Sequence, residues 1–146
     1  ASRFIKTTFC NDRNTSSTWA STGSNINYAP YTRLSSSTPT PTFECNTADV
    51  VTNNFGLITA DEVVLAGGKY NTDNSVFYLN NNMAYWAGSP YAFYGGNSRV
   101  FALYPILGLR YDFVTGRRNA ARGVVSLSSE SKLLGSGTYN DVYTVN

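Results

Sequence analysis

Gly56-Leu57-Ile58-Thr59-Ala60-Asp61-Glu62-Val63-Val64-Leu65-Ala66-Gly67-Gly68 is the stretch of this chain whose chemistry defines an element at both ends. Thr59 followed three residues later by Glu62 is a capping box. The hydroxyl accepts from an orphan amide of a helix's first turn, and the carboxylate accepts from the backbone N–H of the cap residue. Asp61 and Glu62 also place negative charge at the positive end of the helix dipole. Both acids are therefore read as capping groups rather than as a catalytic carboxylate pair. Ile58 just before the cap and Val63 four residues past it have the spacing of a hydrophobic staple. Gly67 or Gly68 supplies the left-handed stop. The expectation is a helix of about two turns, with Val63, Val64 and Ala66 facing inward.

Downstream of this helix the pattern changes to short strands. Residues 69–82 are Asn-rich, with Val76, Phe77, Tyr78 and Leu79 among them, and Asn80-Asn81-Asn82 reads as a turn. Residues 83–90 read as a buried strand ended by Pro90, with Trp86 in the core. Gly95-Gly96-Asn97 is a turn, residues 99–104 are a strand by composition, and Leu107-Gly108-Leu109 is a second turn. Residues 110–114 alternate charged and apolar side chains. Residues 123–127 read as a core strand, and the tail ends in a strand of period two over residues 142–145. Upstream, residues 4–9 read as a short strand. Residues 11–42 form a long polar segment that either holds a short helix near 16–20 or wraps the surface with its rings plugged inward. Its apolar anchors are Trp19, Ile26, Tyr28, Tyr31 and Leu34. The segment 38–42 is stiff and extended, because each residue before proline is pushed from helical geometry. The chain is expected to be one α+β domain over residues 1–146, with many short antiparallel strands and one or two short helices.

Composition narrows function by exclusion. Among 146 residues there are 11 Lys and Arg, 9 Asp and Glu, and no His. The 2 Trp, 11 Tyr and 8 Phe slightly outnumber the charged residues. Without histidine there is no Ser-His-Asp or Cys-His catalysis and no His-ligated zinc. A net charge of +2 makes no electrostatic case for nucleic acid or an anionic membrane. No run of apolar residues is long enough to span a bilayer as a helix. The acids are scattered without the spacing of a calcium loop, so no metal is expected. No phosphate loop accompanies Gly67-Gly68 or Gly95-Gly96, and no cofactor is expected. The first residues carry neither an initiator Met nor a signal-peptide pattern, which reads as a processed chain or a fragment of a longer one.

Cys10 and Cys45 are the two cysteines. They pair as a disulfide in a secreted protein, or they are two buried thiols; spacing alone does not decide. A bridge closing this Ser/Thr/Asn-rich loop would stabilise by roughly 3–4 kcal/mol through the unfolded state. Neither cysteine neighbours a basic cluster, which argues against a nucleophile. Asn14-Thr15-Ser16 is a formal glycosylation sequon.

Several strings in order resemble one family. They are Gly56-Leu57-Ile58-Thr59-Ala60-Asp61-Glu62 with Ala66-Gly67-Gly68, Tyr85-Trp86 with Ser89-Pro90, Arg122-Gly123-Val124-Val125-Ser126-Leu127, and Gly135-Ser136-Gly137-Thr138 with Asp141 and Tyr143. Together, over roughly residues 4–145, they resemble C-type-lectin-like domains of gut-bacterial and phage surface proteins. Those are related to retroelement-diversified variable proteins and, distantly, to the formylglycine-generating enzyme fold. Gly123 departs from the proline that the family carries there. The resemblance implies a scaffold that tolerates change on one surface. Here that surface holds Tyr91, Phe93, Tyr94, Asn97 and Arg99, then Tyr104, Arg110, Tyr111 and Phe113, then Arg117 and Arg118. These are also the most ligand-like residues on their own chemistry, since Tyr and Arg give large contact area with few rotors to freeze. Strand alternation turns about half of them inward. Arg122 is read as a structural pairing residue.

The formylglycine-generating relatives need a reactive cysteine pair, and the Glu-Pro-Asn, Gln-Pro-Asp and Trp-Asn-Asp strings of calcium-dependent lectins do not occur. The expectation is a non-enzymatic adhesin or receptor-binding module, extracellular on a cell surface or virion, whose patch meets a protein or glycan. The alternative is a structural subunit of a surface filament or virion decoration, with the same patch as the interface of a homo-oligomer.

Overall fold

The capping box forms. In the computed structural model, which describes residues 3–16, 25–115, 118–138 and 140–146, the Thr59 N–H donates to Glu62 Oε2 at 2.7 Å and the Glu62 N–H donates to Thr59 Oγ1 at 3.1 Å. They start helix α2, Ala60–Leu65. Gly67, at φ +97°, stops it, in the left-handed geometry that glycine adopts without a Cβ clash. Val63 is fully buried, and Val64 and Ala66 pack against the same core. The other helix, α1, spans Ala29–Leu34, and Pro30 sits in its first turn, where a missing N–H costs nothing. It lies inside the polar segment, C-terminal to the helix expected near 16–20. Residues 17–20 of that expectation, with Trp19, lie outside the described residues.

Among the described residues the architecture is mixed: two short α-helices, one 3-10 turn at Thr47–Asp49 and otherwise strands and loops. The centre is an antiparallel hairpin, Tyr85–Tyr94 with Asn97–Tyr104, extended by Gly108–Phe113. Gly95 and Gly96, at φ +57° and +79°, close the hairpin. Ile26–Asn27 pairs antiparallel with Phe93 and Ala92, and Ala120–Ala121 pairs parallel with Tyr85 and Trp86. Gly108, at φ +70°, opens the third strand under the 69–74 loop. A Cβ there would lie 2.2 Å from the Thr72 carbonyl oxygen, so only glycine fits.

Pro90 does not end its strand. The register shifts on both sides of it, and the strand continues through a bulge, where a residue without an N–H breaks no ladder bond. Trp86 is half-buried rather than core. Alternation turns Tyr85, Ala87, Ser89 and Tyr91 inward on this strand, and Trp86 falls on the opposite face. The core is Leu34, Ile58, Ala60, Val63, Tyr85, Tyr91, Phe101, Leu103 and Leu109 with smaller neighbours, between the sheet and the two helices. The Ser89 hydroxyl accepts from the Ala60 N–H at 2.9 Å, tying the start of α2 to the sheet.

Among the described residues four two-stranded ribbons flank this body. The expected strand over residues 4–9 divides at Lys6. Phe4–Ile5 pairs with Ser126–Leu127, and Thr7–Cys10 pairs with Val50–Asn53. The expected core strand over 123–127 divides likewise: Gly123–Val124 pairs with Leu57 and Gly56, and Val125 is half-exposed. It borders the core rather than filling it: each piece has one partner strand, and only Val124 packs against the core. Leu133–Leu134 pairs with Thr144–Val145. The Cys10–Cys45 disulfide is formed, with Cα atoms 5.7 Å apart, and closes the polar segment.

Candidate functional site

The sheet register sorts the expected patch residues. On the Asn97–Tyr104 strand, Arg99, Phe101 and Leu103 share one face, and they oppose Phe113, Tyr111 and Leu109. Phe101, Leu103 and Leu109 lie in the core. Going outward along that face, the core becomes an aromatic cluster and then opens to solvent. Tyr91 is buried, with Tyr31 at 4.4 Å, Tyr111 at 4.8 Å and Phe101 at 5.0 Å between ring centroids. Its hydroxyl meets that of Tyr70 at 2.9 Å. Burial pushes the Tyr91 phenol far above its ordinary value, and the Tyr70 hydrogen bond adds to this. Burial likewise raises Tyr70 and Tyr85. Tyr91 is thus a floor for the site rather than an exposed contact.

Arg99 stands where this cluster reaches the surface. Its guanidinium carbon lies 4.8 Å from the Tyr111 ring centroid, 5.1 Å from Phe113 and 5.3 Å from Tyr94. Tyr94 is 55% exposed and Asn97 is exposed in the turn beside it. A concavity of about 190 Å³ is lined by Asn27, Tyr31, Tyr91, Ala92, Tyr94 and Arg99. Three lining residues fall outside the expected patch: Ala92 on the long strand, and Asn27 and Tyr31 from the polar segment that the β-strand Ile26–Asn27 and α1 hold against the sheet.

The remaining patch residues lie elsewhere. Tyr104 and Arg110 occupy register positions on the opposite face, across from Gly108 and Ala102. A second hollow of about 240 Å³ is lined by Tyr104, Leu107, Arg110, Tyr111, Asp112 and Phe113, so Tyr111 and Phe113 border it as well as Arg99. The Tyr104 hydroxyl donates to Asp112, which also accepts from the Asn119 amide at 3.0 Å and the Phe113 N–H at 2.8 Å. Phe93 is half-buried across from Ser98, Arg118 is exposed, and Arg117 lies outside the described residues. The eleven residues therefore form no single surface; Tyr94, Arg99, Tyr111 and Phe113 meet, and Tyr91 underlies them.

A charged cluster joins the two helices. Arg33, on α1, donates from Nε to Asp61 Oδ1 and from Nη2 to Asp61 Oδ2, both at 2.6 Å, and from Nη1 to Asp12 Oδ2 at 2.7 Å. Asp61 also accepts from the Thr42 N–H. Capping thus accounts for Glu62, while Asp61 sits in the first turn to hold α1 and residue 42. The Asn14 side chain donates to both Asp12 and Asp49, so the sequon's acceptor nitrogen is engaged in the fold. Burial alone would raise the Asp12 carboxyl, but hydrogen bonds from Arg33 and Asn14 and the Arg33 charge outweigh it and hold the group below its ordinary 3.8. A depressed carboxyl contributes stability above its unfolded value, and that contribution is lost as pH falls through the folded one. Both carboxylates spend their lone pairs on the scaffold, which gives this cluster a structural role. Arg122 also holds structure: it donates to the Leu79 carbonyl and stacks 4.4 Å over Tyr85.

Among the described residues no helix is long and apolar enough to cross a membrane, and no His/Cys/Asp/Glu group has the arrangement of a metal site. No family, curated protein or solved structure matches this chain.

Proposed function

We propose that this chain is a non-enzymatic binding module that recognises its partner with the aromatic surface around Arg99. The observation that carries the reading is the change along one sheet face, from closed core at Phe101 to Arg99 among the rings of Tyr94, Tyr111 and Phe113, beside an open hollow lined by Tyr31, Tyr91 and Tyr94. Rigid rings and an arginine that is already positioned lose little freedom on binding, and such residues dominate recognition hot spots. The disulfide fits an oxidising, extracellular setting, on a cell or virion surface. The C-type-lectin-like relationship suggested by the sequence is part of this proposal, supported by a strongly bent antiparallel sheet packed under two short helices.

The test is binding to a glycan array and to a panel of surface proteins, with Tyr94→Ala as the probe. Tyr94 is 55% exposed, so its loss leaves the melting temperature within a few degrees. Binding is expected to fall at least about tenfold. Unchanged binding by Tyr94→Ala would remove the reading.

One observation favours self-assembly as a second reading. Phe4, Ile5, Leu133, Leu134, Val142 and Tyr143 are each at least 41% exposed and lie on or beside the terminal ribbons. Such exposed apolar side chains suit a subunit of a surface filament. Light scattering that finds a monomer at high concentration would end that reading.

A further inference from the structure

We propose that the hollow beside Arg99 takes a carboxylated saccharide, with the sugar's carboxylate on the guanidinium and a C–H face of its ring on Tyr94. This rests on the reading of the aromatic face as a binding surface and names its ligand class.

Among the described residues four arginines are half-buried: Arg33, Arg99, Arg110 and Arg122. Arg33 has two carboxylates, and Arg122 has a backbone carbonyl as well as a ring. Arg99 has only rings. Among the described residues no carboxylate lies within ion-pair distance of it, and no hydrogen bond reaches its side chain; its Nε is buried without an acceptor. Asp112, the nearest acid in the register, is across from Val100, and so on the other side of the sheet. Aromatic faces stabilise a cation but offer nothing to the N–H groups in the guanidinium plane. Desolvating such a group without acceptors is costly. A carboxylate supplies the missing charge and two parallel acceptors for the fork.

The rest of the hollow selects the body that carries the carboxylate. An extended peptide would need a free strand edge, and here Ile26–Asn27 already covers the edge of the long strand at Ala92 and Phe93. About 190 Å³ accommodates one ring-sized group rather than a chain. Tyr94 offers a ring to stack on, and Asn27 brings an amide able to donate to and accept from hydroxyls. A bare phosphate would leave these rings unused, and among the described residues that line the hollow there is no second cation to share its charge.

The experiment titrates the whole protein with methyl β-glucuronide and methyl β-glucoside, which differ in one carboxylate, and follows amide and aromatic NMR shifts. Saturable glucuronide shifts at Tyr94 and Arg99 are expected, with the glucoside at least about tenfold weaker and the difference shrinking as salt rises. Arg99→Gln is expected to erase the preference, and Arg99→Lys, which keeps charge and loses the fork, to retain part of it. Arg110→Gln, on the other face, is expected to keep it in full. Equal binding of the two sugars would overturn the acidic-ligand assignment and leave the aromatic face standing. Preference for an acidic peptide, or no binding of either sugar while Tyr94→Ala still weakens another partner, would overturn the saccharide alone. No binding together with a silent Tyr94→Ala would overturn both.

Discussion

The central hairpin and the terminal ribbons are built from the same kind of strand, and they differ in what lies on either side. Tyr85–Tyr94 and Asn97–Tyr104 have strands or helices packed against them, and Phe101 and Ala102 are completely buried. The Leu133–Leu134 ribbon has one partner, and both its leucines are about half exposed. A paired strand satisfies its backbone along one edge only, and two strands alone bury too little apolar surface to be stable in water. The stability of this molecule is therefore expected to be concentrated in residues 58–113, with the ribbons held by their attachment to it.

The comparison breaks most visibly at Phe101. Phe101→Ala leaves a cavity under the sheet and should cost about 4 kcal/mol by urea denaturation. A loss below 1 kcal/mol would mean that the hairpin is not the stabilising element. Replacing both cysteines, as Cys10→Ser with Cys45→Ser, releases the polar segment and should cost roughly 3 kcal/mol. Hydrogen exchange then sharpens the contrast, since protection should fall in α1 and persist in the hairpin. Thr59→Ala removes half of the capping box and should cost about 1 kcal/mol. Leu134→Ser should change stability by no more than about 0.5 kcal/mol. A larger loss would show that the last ribbon is covered in solution, for instance by a second copy.

The legible parts of this fold were those written in a few neighbouring residues. The capping box at Thr59 and Glu62, the glycine stop, the Gly95-Gly96 hairpin and the alternation of residues 110–113 each express a rule that operates within one turn or one pleat. The cysteine pair narrowed to two readings, and the structure joins it. The rest depended on distant partners. Asp61 has the position of a dipole-compensating acid, and only the approach of Arg33, 28 residues away in sequence, makes it a bidentate partner. Pro90 carries a strand-ending signal, and the bulge overrides it. Helix α1 was hidden in a Ser/Thr/Asn-rich context, with Pro30 at its start as the one local cue.

For the candidate site, the sequence by itself determined the ingredients: rings and arginines crowded between residues 91 and 118, and no histidine among them. The tertiary structure alone decided the arrangement. It buried Tyr91, sent Tyr104 and Arg110 to the opposite face, and brought Tyr31 and Asn27 across from the polar segment to Arg99. The physical reason is the two-residue period of a strand: residue type reports how much contact area is present, while register and the layer packed beyond it settle which half meets solvent.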